Sequence, residues 1–149
     1  MRARLFVDTN ILVYLANESS EFHQKVLEQF QQISTTYDLF ISRQVLREYA
    51  VIMTRPGIIE HPLTPDEVVE DIKKWKKLFT VTDETEVVTE KLLALLKKYQ
   101  LKGKRIHDAN IVATMLDSSI SSIFTGNEID FKKFEEIQII GIKAKPQEN

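Results

Sequence analysis

Three acidic residues stand where a carboxylate is costly to place. Asp8 ends the apolar run Leu5-Phe6-Val7 and is followed by Thr9-Asn10 and a second apolar run, Ile11 to Leu15. Glu48 lies between Val45 and Ile52 at helical spacing, so it projects from the apolar side of its own helix. Asp108, within Ile106-His107-Asp108-Ala109-Asn110, shares a helical face with Ile111, Val112 and Met115. A further polar cluster, Gly126-Asn127-Glu128-Ile129-Asp130, follows the strand-like stretch Ser122 to Thr125. Each acid taken alone has a bland explanation. Asp8 and Asp108 at helix starts gain from free backbone N–H groups and the helix dipole, and Glu48 can reach water from the edge of its helix. Their recurrence argues for chemistry. A buried carboxylate without a partner is costly, and two carboxylates about 4 Å apart repel by ~4 kcal/mol at an effective dielectric near 20. Such a cluster needs a cation. The chain has no cysteine, and His23, His61 and His107 fall in unrelated settings, which points away from zinc and toward Mg²⁺ or Mn²⁺ held by oxygen. A cation of that kind can orient a phosphate and generate an attacking hydroxide, so phosphodiester hydrolysis is the reaction class to expect.

The elements that must position these groups follow from the pattern. Leu5 to Val7 is short and unbroken by polar residues, as a strand covered on both faces of a parallel sheet is. Thr9 or Asn10 is expected to cap a helix with Leu12, Val13 and Leu15 on its apolar face. Ser20 or Glu21 is expected to open a second helix carrying Phe22, Val26, Leu27 and Phe30. Tyr37 to Ile41 is the next strand, and Ser42 caps the Glu48 helix, which ends before Pro56-Gly57. Thr64 and Glu67 form a capping box for a helix packing Val68, Ile72 and Trp75 on one face, with lysines on the others. Leu78 to Val81 is a weak strand, and Thr85 starts a helix ending at the basic cluster Lys102-Gly103-Lys104-Arg105. After the Asp108 helix come the strand Ser122 to Thr125, a short helix from Phe131 to Phe134 capped by Asp130, and a last strand from Ile137 to Ile142. This alternation predicts an α/β fold with a parallel sheet whose carboxyl ends share one edge. Ligands bind at that edge. Asp8 and Asn127 sit there directly, and Glu48 and Asp108 lean in from helices packed beside it.

The 149 residues, 43% of them hydrophobic, suit a single domain over residues 1–142 with a polar tail over 143–149. With a formal net charge of -2, any nucleic-acid contact has to come from a local basic patch. Without cysteine there are no disulfides. No apolar run approaches the roughly 18 residues of a membrane helix. Met1-Arg2-Ala3-Arg4 leads straight into the first strand, so a signal peptide is not expected and a cytoplasmic location is.

Phe6-Val7-Asp8-Thr9-Asn10, Glu48 on a helix after Ser42, His107-Asp108-Ala109 with Ala113, and Thr125-Gly126-Asn127 through Asp130-Phe131 resemble the PIN domain. In particular they resemble the ribonuclease toxins of VapBC toxin–antitoxin pairs, over nearly the whole chain. The resemblance implies a three-layer fold, a five-stranded parallel sheet flanked by helices. It implies an endoribonuclease that depends on Mg²⁺ (or Mn²⁺), with Asp8, Glu48 and Asp108 as its acidic core and metal ligands. Family members often carry a fourth acid after the strand that ends here at Thr125. This chain has Asn127 there, able to hold one of the cation's waters, with Glu128 and Asp130 close by. Asp8 and Asp108 are the expected direct ligands, and Glu48 either joins them or orients the attacking water. Thr9 and Asp130 stand behind them. Lys104 and Arg105 are the best-placed phosphate contacts, with Arg43 and Arg47 on the Glu48 helix as weaker ones. The partners implied are RNA, a cognate antitoxin and a second copy of the chain, with no membrane. Two other classes fit parts of the pattern. An aspartyl-nucleophile phosphatase of haloacid-dehalogenase type also begins with an apolar strand ending in Asp, but it needs a second Asp where this chain has Asn10. A binding module with vestigial acids is the other.

Overall fold

Leu5, Phe6 and Val7 expose none of their surface. Successive strand residues face opposite sides of a sheet, so three buried in a row mean that both faces are covered. They lie in β1 (Ala3–Val7), the middle strand of the sheet in the computed structural model, which describes residues 2–143. The chain continues through α1 (Thr9–Ala16), α2 (His23–Thr36), β2 (Tyr37–Ser42), α3 (Arg43–Thr54), α4 (Pro65–Leu78) and β3 (Thr80–Thr82). It then adds α5 (Glu86–Tyr99), α6 (Arg105–Asp117), β4 (Ser122–Phe124), α7 (Glu128–Phe131) and β5 (Gln138–Ile140). The strand order is β3-β2-β1-β4-β5 and every pairing is parallel, which is the expected five-stranded sheet flanked by helices. Residues 144–149, most of the expected polar tail, lie outside the described residues. No helix among the described residues is long and apolar enough to cross a membrane.

The topology decides where a ligand can sit. From β1 the chain builds outward through β2 to β3, then returns to the other side of β1 for β4 and β5. The direction of winding therefore reverses between β1 and β4, and a crevice opens there at the carboxyl ends of the strands. Val7 pairs with Phe124, and the Asp8 N–H continues the ladder to the Phe124 carbonyl at 3.0 Å. Asp8 and Thr125 thus leave adjacent strands side by side.

Several local expectations shift. Asp8 itself, not Thr9 or Asn10, is the N-cap of α1, because its backbone is still extended (φ -75°, ψ 157°) and its side chain accepts from the Thr9 N–H. α2 begins at His23, since Ser20 first turns the chain by accepting from the Phe22 N–H, and the Phe22 ring packs on Tyr14. β3 starts at Thr80 because α4 runs on through Leu78. The short helix near the end is Glu128–Phe131. Asp130 is inside it rather than capping one from Phe131 to Phe134, since the Asp130 N–H already closes a turn onto the Asn127 carbonyl. β5 spans only Gln138–Ile140, and Gln29 takes over beyond it, donating to the Gly141 carbonyl and accepting from the Lys143 N–H. The capping box of Thr64 and Glu67 forms as expected. Its helix buries Val68 and packs Ile72 and Trp75 against the core, so that face serves this chain's own interior.

Ser42 is fully buried and its hydroxyl accepts from the Val45 N–H, starting the helix that carries Glu48. Ser42→Ala should cost about 1 kcal/mol and lower the melting temperature by roughly 2–4 °C. An unchanged thermal melt would show that α3 does not depend on this cap.

Candidate active site

Asp8 is 5% exposed and its carboxylate is held from three places. Oδ1 accepts from the Thr9 N–H at 2.8 Å. Oδ2 accepts from the Thr125 hydroxyl at 2.8 Å and from Asn10 Nδ2 at 2.9 Å. Burial pushes its pKa from 3.8 up to about 6, the Glu48 charge adds to that, and the bonds from Thr125, Thr9 and Asn10 pull against it. A rise of that size is worth roughly 3 kcal/mol in favour of the protonated form. Asn10 also accepts from the Gly126 N–H at 2.7 Å, and the Thr125 hydroxyl accepts from the Asn127 N–H at 3.0 Å. The loop after β4 is thereby laced to the end of β1. Gly126 suits this close approach, since a Cβ there would stand 3.1 Å from Ile142 and 3.2 Å from Asn10 Oδ1.

Glu48 reaches the same edge from α3. Its Oε2 accepts from the Thr9 hydroxyl and its Oε1 from Gln44 Nε2, both at 2.8 Å. Asp108 comes from the first turn of α6, half-buried. Burial, together with the charges of Asp130, Asp8 and Glu48, pushes its carboxyl up to about 7 against the opposing charge of Arg105. These four acids therefore share one electrostatic site, and Asp130 on α7 is the strongest charged neighbour of Asp108. Asn127 sits on the same loop, exposed, and ties to the site through its backbone N–H rather than its side chain.

The basic residues divide into two groups. Arg105 is close enough to Asp108 to lower its pKa, and Lys104 precedes it, exposed and without an ion pair among the described residues. Arg43 and Arg47 turn instead toward the loop before α5, pairing with Asp83 at 2.7 Å and Glu84 at 3.7 Å. Sequence reasoning missed four residues that shape the site: Asn10, Thr125, Gln44 and Asn110. Only Gln44 left a clear trace, its spacing one helical turn before Glu48. Asn10 lies only two residues after the Asp8 it bonds, but it and the other two also meet partners far along the chain, such as Asn110 Nδ2 donating to Gln44 Oε1 at 2.8 Å.

The donor set is oxygen throughout, and the raised carboxyls of Asp8 and Asp108 mark negative charge that a cation would relieve. Among the described residues no three His, Cys, Asp or Glu side chains close into a ready-made cage. Mg²⁺ does not require one, since it keeps several waters and takes only one or two carboxylates directly. The residues fit a hard, hydrated divalent cation.

An α/β protein with an acid-lined crevice at the switch point of its parallel sheet is thus the class defined. The chain belongs to the PIN domain family, whose model matches residues 5–137. It is 27% identical over 138 residues to "Ribonuclease VapC48" of Mycobacterium tuberculosis (strain ATCC 25618 / H37Rv), covering 89% of this chain and 92% of that protein. The fold matches a toxin-antitoxin complex from Klebsiella pneumoniae with a TM-score of 0.66 at 20% identity, covering 96% of this chain and 100% of that one. It also matches Mycobacterium tuberculosis VapC20, described as a Sarcin-Ricin loop cleaving toxin, with a TM-score of 0.65 at 16% identity, over 89% and 98% of the two chains.

The raised carboxyls have a pH signature. A carboxyl whose pKa is higher folded than unfolded stabilises the fold at low pH and loses that contribution as pH rises through its folded value. For Asp108 the loss falls between about pH 4 and about pH 7. In EDTA, the melting temperature of Asp108→Asn should therefore gain on that of the unsubstituted chain as pH rises across this window. A difference that stays constant with pH would contradict the shift.

Proposed function

We propose that this chain is a divalent-metal-dependent endoribonuclease, acting as the toxin of a toxin–antitoxin pair. The observation that carries the reading is the convergence of Asp8, Glu48, Asp108 and Asp130 on one crevice, with two of the carboxyls pushed up toward neutrality. In this reading Asp8 and Asp108 hold Mg²⁺ or Mn²⁺, and Asp130 is the fourth acid, facing Asp108 across the crevice. Asn127 lies one turn before it and offers a neutral amide at the rim. When bound, the cation supplies Lewis acidity and charge neutralisation at the scissile phosphodiester. Glu48, oriented by Thr9 and Gln44, accepts a proton from the attacking water as general base. Thr9, Thr125 and Asn10 keep the Asp8 and Glu48 carboxylates aimed. Lys104 and Arg105 contact phosphates beside the acids. Arg43 and Arg47 can join them, because exposed ion pairs are weak and exchange readily for a phosphate. The named ribonuclease relative supports RNA as substrate, and the toxin-antitoxin complex of like fold supports an antitoxin partner. A second copy of the chain and a cytoplasmic setting belong to the same proposal.

Cleavage of generic RNA with Mg²⁺ or Mn²⁺, and its loss in EDTA, tests the reading. Asp108→Asn and Glu48→Gln should each lower the rate by about 100-fold or more, while both variants stay folded. Metal-independent cleavage, or variants that cut at the unsubstituted rate, would remove this site. Lys104→Ala with Arg105→Ala should weaken RNA binding and reduce its salt slope by about 1.4, as expected for two phosphate contacts to a single strand. An unchanged slope would place the RNA path elsewhere.

A further inference from the structure

Every polar side-chain atom of Gln44 is engaged, and every engagement bears on the acidic site. Gln44 lies on α3 one turn before Glu48 and is 5% exposed. Its Nε2 donates to Glu48 Oε1 at 2.8 Å and to the His107 carbonyl at 3.1 Å. Its Oε1 accepts from Asn110 Nδ2 at 2.8 Å. The amide can face only this way, because a carboxylate and a carbonyl accept while the Asn110 amide nitrogen donates. His107 immediately precedes Asp108 and Asn110 lies two residues after it. One side chain therefore joins the Glu48 carboxylate to the backbone and side chain on either side of Asp108.

We propose that Gln44 is a positioning residue that sets where the Glu48 carboxylate stands relative to Asp108, with Asn110 as its clamp. The second oxygen of Glu48 accepts from the Thr9 hydroxyl, so both oxygens have fixed donors. The terminal carboxylate torsion is otherwise broad, and two donors from different elements remove that freedom. The chemistry of the position favours an amide. Lysine or arginine could orient the carboxylate equally well, but would neutralise it beside a site that needs negative charge. Glutamate would repel it and donate nothing. Glutamine orients Glu48 and leaves its charge available. Its burial behind the carboxylate keeps it from touching substrate. The geometry stands by itself, and the effect on cleavage rests on the nuclease reading.

Gln44→Met keeps the length of the side chain and removes all of these bonds. The RNA-cleavage kcat should fall by about 10- to 100-fold, and the Mn²⁺ concentration for half-maximal thermal stabilisation should rise by at least about 3-fold, as for loss of a residue that orients a metal ligand. KM for RNA should stay within about two-fold, because no substrate contact is lost. In metal-free melts, Gln44→Met should cost less in a Glu48→Gln background than in the unsubstituted chain, because the charged partner is gone. Asn110→Ala removes only the clamp. It should change kcat and the Mn²⁺ midpoint in the same direction by less, and it supplies the same comparisons if Gln44→Met does not fold. A residue that only glues α3 to α6 would lower the melting temperature alike in both backgrounds, with kcat and the Mn²⁺ midpoint unmoved, and that result overturns the proposal. If the unsubstituted chain cuts no RNA, the nuclease reading fails, and the Mn²⁺ midpoint and the two-background melts still decide the role of Gln44.

Discussion

The structure depends on one buried charge. The Asp8 carboxylate stands at the end of the central strand, almost wholly removed from water. A carboxylate in that setting persists only if donors reach it. They come from the first N–H of its own helix, from Asn10 two residues on, and from Thr125, 117 residues away in sequence. The last of these binds the two strands that flank the switch point. The same donors are neutral, so they orient the carboxylate without cancelling its charge, and its pKa stays raised at about 6. Asp8 is thus both a structural knot and a source of negative charge that its donors leave uncancelled.

The remaining acids are brought to Asp8 by packing, not by attraction. Ala109 and Ala113 on α6 are fully buried and add little bulk, and the first turn of that helix carries Asp108 to the crevice. α3 starts at the end of β2, with Ser42 as cap, and delivers Glu48 one and a half turns later. α7 follows β4 after a loop whose Gly126 lies against Asn10, and Asp130 on that helix raises the Asp108 pKa through its charge. Four like charges gathered in this way oppose one another, and the apolar core beneath them, with Phe6, Tyr49, Phe124 and Phe131 wholly buried, supplies the rigidity that holds them there. A chain of net charge -2 also needs a local counterweight to admit a polyanion. Arg105 beside Asp108 and Lys104 just before it provide one at the rim.

Hydrogen bonds in the site run through neutral groups. Thr9, Asn10, Gln44, Asn110 and Thr125 orient acids without neutralising them. Ion pairs do appear for Arg43 and Arg47, but their partners are Asp83 and Glu84 on the loop before α5 rather than the four acids. The division leaves the Asp8 and Glu48 carboxylates held by neutral donors.

Local chemistry made much of this legible in one dimension. A short, unbroken apolar run ending in Asp8 fits a doubly covered strand with an acid at its tip, because a central parallel strand buries consecutive residues on both faces. Ser42, Thr64 and Thr85 announced their helices because capping is a contact within four residues. Glu48 and Asp108 stood out by helical periodicity alone. What sequence could not settle was longer in range or shorter in length. The boundaries of α2, β3 and α7 moved because turn bonds and ring packing compete over one or two residues. Where the one-turn helix carrying Asp130 begins is equally local in scale, and only the fold closes that turn at Asn127. The bonds of Thr125 to Asp8 and of Asn110 to Gln44 join residues 117 and 66 positions apart. No spacing rule reaches so far: the candidate acids stand out in the sequence, and how their carboxylates are aimed is decided by the tertiary structure.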